Sequence, residues 1–373
     1  MNQKKSRNIV ITANTSWNLF NFRIGLIKQL INDGYSVCAI APKDEYVPRL
    51  EDLGIRCYKI KINSKGTNPF RDFSLIIHYF LLFKKIKPEL VLSYTIKPNI
   101  YGNIAARFLG IPVINNVSGL GTLFINKSFS SYIGRVLYYI AFYKAKCVFF
   151  QNSTDRELFI HERIVNSNNS SVICGSGVNT DKFNTTRLTN KGKVFLYVGR
   201  LLRDKGIREY IEAAMKIIDS DNSVKFKIVG ELGSNNLTAI SSDELSSWIF
   251  NYPQIIYIGK TDDIVSELVH TDIMVLPSYR EGLSRSLLEA ASMKLPIITT
   301  DVPGCREVVN HGLNGYLCDS KDSHDLYLKM LDMINLSEIE RIKMGEIGRI
   351  IVESKFEEKL VISKYLKKID LLL

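Results

Sequence analysis

Short runs of β-branched and apolar residues alternate with longer helical patterns along almost the whole chain. The runs that predict strands in the first half are 8–13, 35–41, 56–62, 89–94, 111–117, 146–151 and 170–174. Those in the second half are 193–199, 224–230, 254–259, 272–278, 295–300 and 315–319. Helical patterns such as 21–34 and 99–110 lie between them, and both end at a glycine, which suits a helix C-terminus. Strand–helix alternation predicts parallel sheets with helices on both faces.

The alternation makes two such sheets, so we predict an α/β fold of two Rossmann-like, doubly wound domains facing each other across a cleft. A chain of 373 residues with 46% hydrophobic residues is too long for a single core. We place the boundary in the polar stretch 179–193, with an N-terminal domain over 1–185 and a C-terminal domain over 186–373. The final helix is a candidate to pack back on the first domain. Ligands of such sheets bind at the carboxyl ends of the strands.

The net charge of +11 is unevenly distributed. Residues 1–190 carry 25 Lys and Arg against 11 Asp and Glu, a balance of +14, whereas the remainder of the chain is at −3. A basic half is typical of proteins that contact a polyanion, an anionic membrane or a phosphorylated substrate, and a merely soluble basic surface is the alternative. The six cysteines are scattered, which favours reduced thiols over disulfides or a zinc site. With no signal peptide and no long apolar run in the sequence, we predict a cytoplasmic or membrane-surface protein.

Three loops in the second half carry candidate binding groups. Arg200 and Lys205 follow the strand at 193–199 and precede a helix, an arrangement that suits a diphosphate, although two solvated surface cations are the alternative. Gly230 with Glu231, and Gly259, follow the next two strands, where a glycine turn lets the backbone approach a base or a sugar.

The segment "SYREGLSRSLLEAASM" (278–293) is a strand end, a turn and a helix, which we expect to begin near residue 283 or 284. The backbone amides of Gly282, Leu283 and Ser284 would then face a phosphate or a sugar oxygen. Glu281 precedes the helix, where it can accept hydrogen bonds from hydroxyls. Glu289 lies in an apolar run and needs a partner, either a vicinal diol such as a ribose or a neighbouring helical cation.

Glu281 and Glu289 match the E-x7-E signature of the retaining glycosyltransferases of family 4, which have the GT-B fold. The resemblance covers the whole second half, through "VGRLLRDKG", "IVGELG" and the long stretch from "YIGKTDD" to "HGLNGYL". In the first half, "NTSWNLFNFRIGLIKQL", "KDEYVPRLEDLGI" and "NNVSGLGTLF" resemble a bacterial subgroup that extends polyprenyl-diphosphate-linked oligosaccharides with hexosamines in O-antigen, capsule or glycoprotein glycan assembly.

By that resemblance, Arg200 and Lys205 neutralise the donor's diphosphate, Glu289 holds the ribose hydroxyls, and Glu281 addresses the transferred sugar. We assign Glu281, Arg200 and Lys205 as the catalytic residues. The leaving diphosphate is already stabilised by cations, so neither a metal nor a cofactor beyond the nucleotide-sugar is expected, and UDP is the preferred nucleotide. The first loop, "ANTSWNLFNF", offers the further donors Asn14, Thr15 and Ser16.

The sequence departs from the family at a first-domain histidine that many members carry near the reacting carbon. Neither 113–121 nor 93–99 contains one, and the five histidines elsewhere are interpreted as surface or packing residues. On the acceptor side we therefore expect Asn116, Ser118 or the turn from Gly119 to Gly121 to replace it, with Arg23 as a further candidate. Because of this loss, a catalytically inactive nucleotide-sugar-binding subunit of a glycan-assembly complex is the alternative function.

Two stretches, 68–87 and 129–150, mix aromatic, aliphatic and cationic residues, which is typical of segments on an anionic membrane or of core helices. The candidate cations for the membrane or the acceptor's diphosphate are Arg23, Lys84, Lys85, Lys87, Lys127 and Arg135. The expected partners are a nucleotide-diphospho-sugar donor, a lipid-linked saccharide acceptor and an anionic membrane surface. The expected location is peripheral, on the cytoplasmic face of the bacterial inner membrane. An epimerase would lack the E-x7-E pattern, and no nucleic-acid-binding module is recognisable.

Overall fold

The computed structural model describes residues 7–63, 68–120, 129–185, 192–233, 236 and 238–373. It divides into two compact units, Met1–Ser176 with Lys359–Leu373, and Gly177–Glu358. The boundary therefore falls before the polar stretch in which the sequence placed it. The reason is backbone pairing between distant segments, since the Val178 amide donates to the Phe356 carbonyl at 2.9 Å and the Glu358 amide donates to the Val178 carbonyl at 3.0 Å.

The first unit is built on a seven-stranded parallel sheet, and every strand predicted in the first half is present. The order is β3-β2-β1-β4-β5-β6-β7. The strands are β1 (Asn8–Thr12), β2 (Ser36–Ala41), β3 (Arg56–Lys59), β4 (Leu90–Tyr94), β5 (Val113–Val117), β6 (Cys147–Phe150) and β7 (Ser170–Val172). The order reverses between β1 and β4, which is the position where doubly wound sheets bind ligands at their carboxyl edge.

Helices cover both faces of this sheet. They are α1 (Ser16–Asn32), α2 (Val47–Glu51), α3 (Pro69–Ile86), α4 (Asn103–Phe108), α5 (Phe129–Phe142) and α6 (Ser153–His161). Helix α1 begins earlier than the pattern at 21–34 predicts, because Thr15 caps it by accepting a hydrogen bond from the Asn18 amide at 3.1 Å. The predicted helix at 99–110 is instead a π-helical turn, Pro98–Gly102, followed by α4.

Two separate cores lie on the two faces of the sheet. Val10 points into one core, with Tyr79 and Phe83 of α3, whereas its neighbours Ile9 and Ile11 point into the other. This alternation follows from the two-residue period of a strand. Helices α3, α4 and α5 supply the first core, and α1 supplies the second together with the last helix of the chain.

The second unit is built on a six-stranded parallel sheet with the order β10-β9-β8-β11-β12-β13. Its strands are β8 (Val194–Val198), β9 (Lys225–Val229), β10 (Ile255–Gly259), β11 (Ile273–Leu276), β12 (Ile297–Thr300) and β13 (Gly315–Cys318). Its helices are α7 (Ile207–Ser220), α8 (Ser242–Asn251), α9 (Ile264–Val269), α10 (Arg285–Ser292), α11 (Ser323–Asn335) and α12 (Glu338–Ile351). A π-helical turn, Val352–Phe356, leads to α13 (Glu358–Asp370), whose Val361, Tyr365 and Ile369 lie in the second core of the first unit.

Strands β8 and β11 are neighbours at the point where the order of the second sheet reverses. The loops that follow them hold the cations and the first carboxylate singled out in the sequence, so parallel pairing brings these loops to one edge. Within the described residues, no helix has the length and hydropathy needed to cross a bilayer.

Candidate active site

The loops after β8 and β11 are locked together by close backbone contacts. Gly206 ends the first loop with φ +71°, and a Cβ at this position would lie 2.0 Å from the Pro277 carbonyl oxygen. The Tyr279 amide donates to the Asp204 carbonyl at 2.9 Å. Only glycine allows this approach at this backbone conformation, so the "RDKG" sequence determines how the two loops meet.

This contact brings Lys205 and Glu281 together as an ion pair. The Lys205 Nζ donates to the Glu281 Oε1, and the two side chains are only 21% and 13% exposed. The Glu281 carboxylate shifts the pKa values of two buried neighbours. Burial, reinforced by Glu281, raises the pKa of the Tyr197 hydroxyl, and the same two causes raise the pKa of the Cys305 thiol to about 12. The sequence did not predict that these two candidate catalytic groups neutralise each other.

Arg200 lies at the same edge of the sheet with an exposed side chain. Its carbonyl accepts a hydrogen bond from the Tyr197 hydroxyl at 3.0 Å, which holds the backbone of the loop. Among the described residues, no carboxylate lies within ion-pair distance of the Arg200 guanidinium. The two cations therefore differ: Lys205 is shared with Glu281, and Arg200 is open to a solvent-borne anion.

The segment after β12 holds the loop that precedes α10. The Glu281 amide donates to the Pro303 carbonyl at 3.0 Å, and the Ser284 amide donates to the Gly304 carbonyl at 2.9 Å. A Cβ on Gly304, at φ +85°, would lie 2.4 Å from the Glu281 carbonyl oxygen. The prediction that the Ser284 amide faces a ligand is therefore wrong, because the backbone after β12 already occupies it. Helix α10 begins at Arg285, with Ser284 at its N-cap.

Gly282 is buried at the start of this turn, and Leu283 is half-buried beside it. Both residues lie at the carboxyl edge of β11, where the sequence placed them. Their role toward a ligand stays a prediction.

Glu289 forms the helical ion pair that the sequence left open as an alternative. Its Oε1 accepts a hydrogen bond from the Arg285 Nε at 2.9 Å, one turn earlier on α10. Burial raises the pKa of the Glu289 carboxyl, and the positive charges of Arg285 and Lys182 oppose that shift. The carboxylate is thus mostly shielded from water and held in place by Arg285, and its role toward a ribose stays a prediction.

Gly230, after β9, serves the packing of the protein itself, whereas a Cβ on Gly259, the last residue of β10, would have open space around it. A Cβ on Gly230 would lie 1.8 Å from the Gly199 carbonyl oxygen, and the Gly230 amide donates to the Gly259 carbonyl at 3.0 Å. Glu231 is exposed, and its carbonyl accepts from the Leu201 amide at 3.2 Å. These residues therefore join the loops after β8, β9 and β10, so Gly230 is required for that packing whether or not a ligand approaches it.

In the first unit, the loop after β1 uses most of its polar groups locally. Thr15 caps α1, and the Ser16 hydroxyl donates to the Pro42 carbonyl at 2.8 Å. The Asn14 amide donates to the Thr95 Oγ1 at 3.1 Å, after the neighbouring strand β4. Thr15 and Ser16 therefore organise the loop, whereas the Asn14 side chain lies at the wall of a cavity.

This cavity, of about 220 Å³, lies at the reversal point of the first sheet. Its walls are Asn14, Ile62, Thr95, Ile96, Lys97, Asn99, Ser118, Gly119 and Tyr138. Thr95 has φ +68°, a conformation that is strained for a β-branched residue and is concentrated at functional sites. Asn99 is fully buried, and its Oδ1 has no hydrogen-bond partner among the described residues. Lys97 is paired with Asp72 at 2.6 Å.

Thr95, Lys97 and Asn99, which line this cavity, were not among the candidate residues that the sequence singled out. The available signal was their position directly after a strand at the reversal point, but this position depends on strand order, which the sequence does not state.

Two acceptor-side predictions are wrong because the side chains are interior. Asn116 is fully buried, where its Nδ2 donates to the Tyr365 hydroxyl at 2.8 Å and its Oδ1 accepts from the Ser118 Oγ at 3.1 Å. Arg23 is 4% exposed, with its guanidinium 4.0 Å above the Tyr94 ring. Neither residue can reach an acceptor or a membrane without leaving the core. Gly121 lies outside the described residues.

Two families match the chain. Residues 8–152 match the family Glycosyl transferase 4-like, and residues 178–350 match Glycosyl transferases group 1. The first match covers the sheet of the first unit except its last strand, and the second covers all six strands of the second sheet.

Named relatives agree with these matches. The N,N'-diacetylbacillosaminyl-diphospho-undecaprenol alpha-1,3-N-acetylgalactosaminyltransferase of Campylobacter jejuni is 28% identical over 371 residues, covering 94% of this chain and 95% of the relative. The capsular polysaccharide biosynthesis glycosyltransferase CapM of Staphylococcus aureus is 29% identical, covering 78% and 79% of the two chains. These names give the alternative of an inactive binding subunit no support.

Solved structures share the fold. A glycosyltransferase from Rickettsia africae superimposes with a TM-score of 0.78 at 20% identity, over 99% of both chains. Anabaena Alr3699/HepE in complex with UDP and glucose superimposes with a TM-score of 0.79 at 16% identity, over 97% of this chain and 99% of that one. With two parallel-sheet units, both family matches and these relatives, the chain belongs to the glycosyltransferases of the GT-B fold.

Proposed function

We propose that this glycosyltransferase transfers a hexosamine or another hexose, with retention and without a metal, from a nucleotide-diphospho-sugar to a polyprenyl-diphosphate-linked saccharide. The product would serve O-antigen, capsule or glycan assembly. The names of the relatives from Campylobacter jejuni and Staphylococcus aureus support the acceptor class and the type of pathway. The observation that carries the proposal is the pair of Lys205 and Glu281 beside the exposed Arg200, at the carboxyl edge of the second sheet.

On the donor side, Arg200 and Lys205 would bind the diphosphate. A cation that is largely shielded from water acts more strongly on the charge that grows as the diphosphate leaves than a solvated cation would. Glu281 would accept hydrogen bonds from the hydroxyls of the transferred sugar, and Glu289, oriented by Arg285, would accept them from the ribose. UDP is the preferred nucleotide, in keeping with the UDP complex of the Anabaena structure.

For the transfer itself, the bond from the anomeric carbon to the diphosphate oxygen breaks, and the acceptor hydroxyl attacks on the same face. The leaving phosphate oxygen takes the proton of that hydroxyl, so no separate base is needed. The pairing of Glu281 with Lys205 supports this route, because the carboxylate is already engaged by an ammonium group. We propose that Arg200, together with Lys205 shared between Glu281 and the diphosphate, takes the place of a metal at the leaving group.

On the acceptor side, we place the saccharide at the cavity of the first unit. Asn14, Ser118 and Lys97 supply polar groups, and the Asn99 Oδ1, which has no partner in the described part of the chain, can accept a hydrogen bond from a hydroxyl. Because the acceptor carries a lipid, we also propose that the enzyme works at the cytoplasmic face of the inner membrane.

The test is transfer from a panel of UDP-, GDP- and ADP-sugars to a short-chain prenyl-diphosphate sugar. We expect UDP-hexosamine to be used, activity to persist in excess EDTA, and proton NMR to show an α linkage. A product with a β linkage would refute retention, and activity that EDTA abolishes and Mg²⁺ restores would refute metal independence.

Variants assign the site. Lys205→Ala should lower turnover about 10²- to 10³-fold, as is usual for a lost oxyanion-stabilising group. Glu289→Ala should weaken nucleotide binding by about 1–3 kcal/mol. Lys225→Ala, an exposed lysine on β9, is the matched control. If both site variants behave like the control, the assigned roles are wrong.

A further inference from the structure

The outer side of one helix layer in the first unit is apolar and exposed. Helices α3, α4 and α5 cover the same face of the sheet, and their inward side chains form its first core. Their outward side chains are also large and apolar, at 39–86% exposure: Phe70, Phe73, Ile77 and Leu81 on α3, Phe108 on α4, and Tyr132, Val136, Tyr139 and Ile140 on α5, with Tyr143 just after it. We call these ten residues the apolar face.

The spacing of these residues shows that each set forms a stripe. Steps of three and four residues place the four members on α3 along one side of the helix. On α5, Tyr139 and Ile140 lie three and four residues after Val136, which itself lies four after Tyr132, so these members also share one side. A surface helix of a globular protein is expected to be polar on the side away from its core. An exposed apolar surface of this extent is typical of a protein or membrane contact.

Positive charge gathers at one end of the apolar face. Crossover helices run antiparallel to the strands they connect, so α3, α4 and α5 all end at the amino edge of the sheet. Their C-terminal ends carry exposed or half-buried cations: Lys84, Lys85, Lys87, Arg107, Lys144 and Lys146. The sequence has no Asp or Glu between Glu89 and Asp155, so little negative charge compensates these groups. Of the other candidate cations from the sequence, Arg135 is paired with Glu162 at 3.1 Å, and Lys127 lies outside the described residues.

A cavity joins the cations to the aromatic surface. It measures about 190 Å³, and its walls include Arg107, Tyr143, Lys144 and Lys146. The Arg107 Nη1 donates to the Ile140 and Tyr143 carbonyls at 2.7 and 3.3 Å, which anchors the guanidinium at the end of α5. The Lys144 Nζ lies 5.4 Å from the centre of the Tyr143 ring. One phosphate would fit here, within reach of three cations and beside a ring at the apolar surface.

We propose that the apolar face docks on an anionic phospholipid bilayer and that the cavity of Arg107, Lys144 and Lys146 takes a lipid headgroup phosphate. Charge complementarity favours this occupant. A second copy of the chain would oppose two positive surfaces, which is unfavourable, whereas an anionic leaflet neutralises them. Aromatic and aliphatic side chains next to cations match the layered polarity of a bilayer surface. The proposal agrees with a lipid-linked acceptor but does not require donor, acceptor or turnover.

The first experiment is co-sedimentation of the full chain with phosphatidylcholine vesicles, with and without phosphatidylglycerol. We expect binding only to the anionic vesicles, with a decrease at high salt. Lys144→Gln with Lys146→Gln should lower partitioning about fivefold for each charge removed. Lys364→Gln with Lys367→Gln removes the same charge from exposed positions on α13, which covers the opposite face of the sheet, and should change it little.

The second experiment tests insertion. Both natural tryptophans are first removed, by Trp17→Phe and Trp248→Phe. Brominated lipid chains should then quench the fluorescence of Phe73→Trp and not that of Phe250→Trp, a position in the second unit that is still more exposed (86% against 64%). Equal binding to neutral and anionic vesicles, equal losses in the two lysine pairs, or no quenching at position 73 would each refute the proposal. Sedimentation velocity showing a dimer that Phe70→Ser and Phe73→Ser dissociate would assign the face to a second copy instead.

These measurements use no sugar donor. Transfer to a water-soluble, short-chain acceptor therefore tests the proposed activity separately from membrane docking, and either proposal can fail while the other holds.

Discussion

Glu281→Gln separates phosphate binding from sugar transfer at the candidate donor site. Glu281 pairs with Lys205, and Lys205 is also the cation that would bind the donor's phosphate. The change removes one negative charge but keeps the side chain's size and a carbonyl oxygen that can still accept from Lys205. We expect opposite effects on two observables: UDP alone should bind more tightly, and sugar transfer should slow.

The magnitude follows from the geometry of the pair. We take one Glu281 carboxylate oxygen and one phosphate oxygen, each accepting from the Lys205 ammonium at about 2.8 Å. With a tetrahedral angle at the nitrogen, these two oxygens lie about 4.6 Å apart. Repulsion between unit charges at that distance is about 0.9 kcal/mol in water and about 1.8 kcal/mol at an effective dielectric of about 40. The side chains are 21% and 13% exposed, so the site lies between bulk water and the interior. Removing the carboxylate should therefore tighten UDP binding about five- to twentyfold.

Transfer should fall by at least about tenfold, since a hydrogen bond from a sugar hydroxyl to a charged acceptor contributes about 1.5–3 kcal/mol. Calorimetric titration with UDP and steady-state transfer measure the two effects on the same preparation. Glu212→Gln, which removes an exposed carboxylate from α7, is the matched control. If Glu281→Gln leaves UDP affinity at the level of the control or weakens it, then Lys205 does not bind the phosphate in competition with Glu281, and the assignment is wrong.

Three further outcomes test the packing around the site and the linkage of pH to stability. Gly206→Ala should lower the thermal midpoint and turnover together, because its Cβ would lie 2.0 Å from the Pro277 oxygen and φ +71° alone costs about 1–2 kcal/mol; an unchanged midpoint would contradict the contact. The Cys305 thiol, with its pKa raised to about 12, should resist alkylation at neutral pH in the native protein and react after unfolding, as read by mass spectrometry. Hydrogen bonds from Ser223, with help from Lys193, lower the pKa of Asp221 to about 2. The stability that ionised Asp221 contributes should be present above about pH 4 and lost as the pH falls through about 2, so the difference in midpoint from Asp221→Asn should close over that range.

Local patterns predicted the elements well and their ends less well. Every strand followed from a short apolar run between turns, because a buried parallel strand leaves that signature in any chain. The start of α1 depends on the Thr15 cap, and the turn at Pro98–Gly102 depends on packing under α3 and α5, neither of which a hydrophobic period encodes. The boundary between the units was misplaced because Val178 pairs with a segment that lies 179 positions later, at Glu357.

For the site, the sequence by itself indicated which groups lie at the carboxyl ends of strands: Arg200, Lys205 and Glu281 each follow a short apolar run that is typical of a buried strand. Only the tertiary structure decided what these groups do to one another. Lys205 meets Glu281 because β8 and β11 are neighbours and Gly206 lets the two loops touch, although 76 positions separate the two residues along the chain. Hydrophobic periodicity along the sequence indicates which side chains of one segment are buried. The order of the strands and close backbone contacts decide which distant loop that segment faces. Both exist only once the sheet has formed.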